Sequence, residues 1–131
     1  PRNALALYNL GLGSFLDGNY AQAEQYLARA ASLNALDGDT FALLAESRIR
    51  LGNYAGAESD IRHAIQVKPY KPGYRRVLAL SLEGQGKIGE AFAAAEEEAR
   101  TNPSDAETQR VLARLREKKD NSQSDKKSRS R

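Results

Sequence analysis

Residues 18–24 read GNYAQAE and residues 52–58 read GNYAGAE: one phrase, changed at a single position, recurs after 34 residues. A looser third copy, GKIGEAF, occupies 86–92. The period continues outward from the phrase. Leu10-Gly11, Leu44-Ala45, Leu78-Ala79 and Leu112-Ala113 fall in register, as do Ala23, Ala57 and Ala91. Pro69 and Pro103 share a column with Pro1, and only Ala35 breaks it. A fixed period of this length is the signature of a stacked repeat architecture.

Each period reads as two helices. The first runs from about Ala4 to Asp17, with Leu7, Leu10, Gly11 and Ser14 on one face at i, i+3, i+4, i+7 spacing. Asn3, Asp37 and Asp105 fall in its N-cap column. Lys71 holds that column in the third period, and Pro72 after it suits a first helical turn. Gly18, Gly52 and Gly86 stop the helix, because glycine adopts the left-handed conformation without a Cβ clash. The second helix starts near Ala21 and buries Ala23, Leu27, Ala30 and Ala31. Small residues on facing helices permit close backbone approach, and Tyr20 and Tyr54 stand where a ring can wedge over the turn. One such pair cannot bury its own apolar faces, whereas a stack of about three can.

These residues carry a resemblance. The 34-residue period, with apolar-x-x-Leu-small, Gly-Asn-Tyr, Ala-x-x-x-apolar and Pro in order, is similar to the tetratricopeptide repeat (TPR) family. The match spans about residues 4–103 in three in-phase copies. Repeat three departs most: Arg75 replaces the large apolar residue and Glu98 the small residue of the Ala30/Ala64 column. The resemblance implies an all-α fold, a right-handed superhelix of stacked antiparallel helix pairs with about seven helices. The repeats fall at about 4–37, 38–71 and 72–105, followed by a capping helix at 105–117. Ser104 with Glu107 forms a capping-box pattern at its start. Gln109 and Arg116 stand where a continuing repeat would want apolar contacts, so this helix is expected to solvate the end of the stack.

Composition limits the chemistry. The chain has 131 residues, no Cys and no Met, and a formal net charge of +3. Residues 118–131 carry six Lys/Arg and two Asp, or +4, which leaves 14 basic and 15 acidic groups, or −1, on the body. The tail is expected to be a disordered basic terminus; without interleaved aromatics it is a poor nucleic-acid arm. No run reaches the ~20 apolar residues that span a bilayer. The cytoplasm is the expected compartment, with the periplasm or attachment to a membrane protein as alternatives. The chain has no Met and starts at Pro1, which suggests a processed form or a fragment, and Pro1 in the repeat-closing column with no polar cap after it suggests at least one repeat upstream. Leu5, Leu7 and Leu10 would then form an apolar edge able to pair with a second copy.

No catalytic constellation emerges, and no cofactor or metal site is expected. His63 is the only histidine and has no second His or Cys to join it in a metal site; it is expected on a solvated helix surface. Glu96-Glu97-Glu98 are consecutive, so their side chains diverge on a helix. Gly84-Gln85-Gly86 follows no strand and matches no phosphate loop.

The resemblance implies a concave groove lined by the first helix of each pair, binding a peptide or helix of a partner protein. The stripe beside the packed one would face it: Leu5, Tyr8, Leu12 and Phe15 in repeat one. Asp39, Ala42, Glu46 and Ile49 follow in repeat two, with Arg50 next to them. Repeat three supplies Gly73, Arg76, Leu80 and Glu83. Chaperone-binding members of the family use a clamp of Lys, Asn and Arg in columns that here hold Tyr8, Leu12, Leu43, Gly73 and Val77. The clamp is absent, so a Glu-Glu-Val-Asp tail is not the expected ligand. The expected function is a non-catalytic protein-interaction scaffold. The alternatives are the C-terminal region of a larger enzyme, such as a membrane glycosyltransferase, and a self-association module. The asparagine ladder of O-linked glycosyltransferases is matched only at Asn9.

Overall fold

A computed structural model describes residues 3–129, and among them seven α-helices and no strand. The helices are α1 (Ala4–Leu16), α2 (Tyr20–Leu33), α3 (Gly38–Arg50), α4 (Tyr54–Val67), α5 (Tyr74–Gly84), α6 (Ile88–Thr101) and α7 (Ala106–Arg129). Each helix packs against the next in the chain, so the pairs stack as a solenoid. Successive first helices also touch: α1 with α3, α3 with α5, α5 with α7. Among the described residues, successive second helices do not. The first helices therefore lie on the inside of the curve.

The repeated phrase builds the bend inside each pair. Gly18, Gly52 and Gly86 have φ of 81°, 82° and 79°, a region that costs a side chain about 1 kcal/mol or more. Asn19 and Asn53 then cap the second helix, their side-chain oxygens accepting from the amides of Gln22 (3.3 Å) and Gly56 (3.1 Å). Ala23, Ala57 and Ala91 are wholly buried. The tyrosines reach further than their own turn. A Cβ on Gly84 would lie 2.1 Å from the Tyr54 ring, so that ring rests on the end of the following first helix. In the preceding repeat the same column carries Arg50, whose guanidinium sits 5.4 Å from the centre of the Tyr20 ring.

The core follows the expected stripes: Leu7, Leu27, Ala45, Ile61, Ala79, Ala95 and Leu115 are all fully buried. Leu10 is the exception. It is 43% exposed, while Leu44, Leu78 and Leu112 in its column are 2%, 8% and 9% exposed. Those three sit on first helices that pack against a preceding second helix; among the described residues no helix precedes α1.

Two departures in repeat three are structural substitutions. The helix there does not begin at Pro72. Gly73, at φ 96°, precedes the first helical residue Tyr74, and no side chain of this segment caps the helix. The free amides are taken instead by Glu98 of α6: Oε2 accepts from Gly73 (3.0 Å), and Oε1 from Arg75 (3.0 Å) and Arg76 (3.3 Å). Glu98 is 2% exposed. Arg75, where an apolar residue was expected, donates from Nη1 to the carbonyl of Pro69. One period later, in the same column, Gln109 donates to the carbonyl of Pro103 at 3.3 Å. The equivalent carbonyl in the first loop, Ala35, bonds His63 Nε2 at 2.6 Å, and that imidazole packs at a tilt of 41° against the Phe41 ring, 4.1 Å between centres. His63 is thus a half-buried joint between repeats, not the solvated surface residue expected from its neighbours.

α7 also differs from expectation. It begins after Asp105, whose carboxylate accepts from the Thr108 hydroxyl at 2.5 Å; Ser104 stays exposed. It does not stop at 117 but continues to Arg129, so the described part of the expected disordered tail is helical. Arg, Glu and Lys favour helix, and Arg116 and Lys119 lie over the Phe92 ring at 5.7 and 4.6 Å. Residues 130–131 lie outside the described part.

Candidate functional site: the groove of the first helices

The inner side of the stack carries an open cleft where four first helices meet. Phe15 of α1, Ile49 of α3 and Leu80 of α5 give it apolar walls. Glu46 and Arg50 of α3, Arg76 of α5 and Glu107 of α7 give it charge. Its volume is about 120 Å³, well below the roughly 300–1,000 Å³ of small-molecule sites. It has room for one side chain rather than a cofactor.

The charges are unequally committed. Arg76 Nη1 is paired with Asp105 Oδ2 at 2.8 Å. Asp105, bonded to Thr108 and Arg76, is held below the usual carboxylate range. Arg50 lies over Tyr20. Glu46 is half-buried, and its carboxyl is pushed up. The main cause is lost hydration; Glu107 adds to it, and Arg76 and Arg50 oppose it.

Beside this cleft lies a second hollow, lined by Ile49, Leu80, Glu83, Tyr54 and Lys118. Glu83 is occupied there. It accepts from Arg114 (2.6 Å and 2.9 Å) and Lys118 (2.6 Å), which hold its carboxyl below the usual range.

Of the groove residues expected from sequence, Phe15, Glu46, Arg50, Arg76 and Leu80 line one cleft, and Leu80 and Glu83 line the next. Tyr8 and Leu12 are half-buried against the Leu27–Leu43–Leu44 cluster. Burial, then Asp39, pushes the Tyr8 phenol up. Asp39 lies outside the cleft in a joint: it accepts from the Tyr74 hydroxyl at 2.5 Å, with Lys71 at 3.7 Å. That hydroxyl fits because position 38 is glycine, where a Cβ would sit 3.0 Å from it. Burial and Asp39 push the Tyr74 phenol well up. Glu107 was missed from sequence although it continues the Asp39–Gly73 column into α7.

No family model matches the chain, and no curated protein matches it. Solved structures do. The second TPR domain of human RPAP3, in complex with the HSP70 peptide SGPTIEEVD, superposes with a TM-score of 0.82 at 20% identity, over 86% of this chain and 94% of that one. The fold is that of the tetratricopeptide repeat. The Sgt2 TPR domain from Aspergillus fumigatus gives a TM-score of 0.85 at 17% identity, covering 92% of this chain and 81% of that one. The myosin chaperone UNC-45 from C. elegans, in complex with an Hsp90 peptide, gives 0.86 at 25% identity, covering 92% of this chain and 14% of that one. Among the described residues no helix is long and apolar enough to cross a membrane, and no group of three His, Asp or Glu could hold a metal ion.

Proposed function

We propose that the chain is a protein-interaction module that docks a peptide or helix along the groove of α1, α3, α5 and the start of α7. The observation that carries this reading is the cleft, in which apolar and charged side chains from four successive first helices meet. A few anchors in such a cleft can supply most of the affinity. The RPAP3 and UNC-45 structures in complex with HSP70 and Hsp90 peptides support the mode of binding. The ligand differs, because the clamp columns hold Tyr8, Leu12, Leu43, Gly73 and Val77. Panning a random dodecapeptide display library on the 131-residue chain tests the reading. Selected peptides should lose at least tenfold in affinity on Ile49→Ser/Leu80→Ser, with the melting point checked in parallel. Peptides that bind that folded variant equally well would place the site elsewhere.

Exposure of Leu10 beside its buried equivalents favours a second reading, self-association through α1. Sedimentation equilibrium at high concentration would then show dimer that Leu10→Glu abolishes. A monomer throughout would end this reading.

A further inference from the structure

We propose that the cleft between α3, α5 and α7 seats a lysine or arginine side chain of the docked segment. Its charge would lie at Glu46 and Glu107, and its stem against Ile49 and Leu80. This inference rests on the groove reading above and deepens it to a ligand class.

The argument is one of charges left open. Asp39 is bound to Tyr74 and Lys71, and Glu83 to Arg114 and Lys118. Arg76 is neutralised by Asp105, and Arg50 lies over Tyr20 at the edge of the cleft. Among the described residues neither Glu46 nor Glu107 makes an ion pair. Over Glu46, Glu107, Asp105, Arg50 and Arg76 the charge is −3 + 2 = −1, so the complement is a cation. Glu46 sits half-buried, short of water and without a counter-charge in contact, so an incoming ammonium or guanidinium supplies what its surroundings lack. The cleft has room for a single side chain, and Ile49 and Leu80 give a methylene stem an apolar wall. The HSP70 peptide seen with RPAP3 carries Glu-Glu and Asp near its end; the open charges here, Glu46 and Glu107, have the same sign and would repel such a tail.

The test uses the peptides selected on the unmodified chain. They should be enriched in Lys or Arg beside an apolar residue. Replacing that cation by Gln in the peptide, or Glu46→Gln in the protein, should each weaken binding at least fivefold, and the two together no more than either alone. Glu46→Gln should leave the fold intact, read as an unchanged or higher melting point. Peptides anchored by Asp or Glu, or binding indifferent to Glu46→Gln but lost on Ile49→Ser/Leu80→Ser, would overturn the cation assignment and leave the groove reading standing. Binding indifferent to all these changes, or no peptide selected, would overturn both.

Discussion

Glu98 offers a direct test of how the third repeat is held. A glutamate buried to 2% exposure ought to be a burden, since removing a carboxylate from water costs several kcal/mol. Its three amide partners sit at the N-terminus of α5, where the helix dipole favours an anion and no local side chain caps. Glu98→Ala would leave the amides of Gly73, Arg75 and Arg76 without their acceptor. Loss of a cap costs about 0.5–2 kcal/mol, and bonds to a charged group about 1.5–3 kcal/mol, so a net loss of about 2–4 kcal/mol is expected. At about 3 °C per kcal/mol for a chain of this size, the melting point should fall by roughly 6–12 °C. Circular dichroism during thermal and urea unfolding measures it, and amide exchange at Arg75 and Arg76 should quicken ahead of α3. Glu98→Gln, which keeps one acceptor oxygen, should fall between. Transplanting the cap of repeat two (Lys71→Asp with Pro72→Gly, as in Asp37-Gly38) should recover part of the loss in the Glu98→Ala background. A melting point for Glu98→Ala within a degree of the parent would refute the cross-helix cap.

Other perturbations separate packing from electrostatics. Ala57→Leu introduces three carbons at a wholly buried position and should cost about 1–3 kcal/mol, seen as a lower urea midpoint. Gly84→Ala should also destabilise, because its Cβ would meet the Tyr54 ring at 2.1 Å; adding Tyr54→Ala should relieve the clash, and a stabilised single variant would contradict the contact. Glu46 is raised in the folded state, so the stability it favours is present below the ordinary carboxylate range and lost as pH rises through its folded value. Glu46→Gln should therefore melt higher than the parent at pH 7 and level with it near pH 3. Glu83 is depressed, so its contribution is full above the ordinary range and lost as pH falls through its folded value. Glu83→Gln should lower the melting point at pH 7 and matter little at strongly acidic pH.

The parts of this fold that are written locally could be read from the chain. Gly18, Gly52 and Gly86 stop their helices within the turn they occupy, Asn3 and Asp37 cap theirs, and Ala23, Leu27, Ala30 and Ala31 form a stripe at helical spacing. Asn19 and Asn53 were equally local and were overlooked beside the glycine and tyrosine. Other residues were misread because their partners lie 22–28 positions away. Glu98 and His63 each bond backbone across a joint between helices, so nothing in their own neighbourhoods explains them. Arg75 reads as a departure from an apolar position because its partner is the Pro69 backbone carbonyl, which leaves no mark in the side-chain pattern. In the groove, column position placed Glu46, Arg50, Arg76 and Leu80 around one cleft, but it could not tell an open charge from one consumed in packing. Asp39 and Glu83 are consumed; Glu46 is not.

The loop carbonyls at Ala35, Pro69 and Pro103 have a consequence for how this array can change. Each is met by a different chemistry: an imidazole from a second helix, a guanidinium from a first helix, and an amide at the start of the last helix. Neighbouring ion pairs are equally private, with Arg48 bridging Glu24 and Asp60 in one joint and Glu83 holding Arg114 and Lys118 in another. The units share a backbone but not a fastening. In arrays of identical repeats, stability is a sum over interchangeable neighbours; here the order of the units is itself encoded. A chain with repeat two duplicated would present Phe41 to the first Pro69 carbonyl where Arg75 meets it here, while Glu98 would stay with its own α5. Such an array can drift residue by residue, but it cannot be cut and lengthened at will.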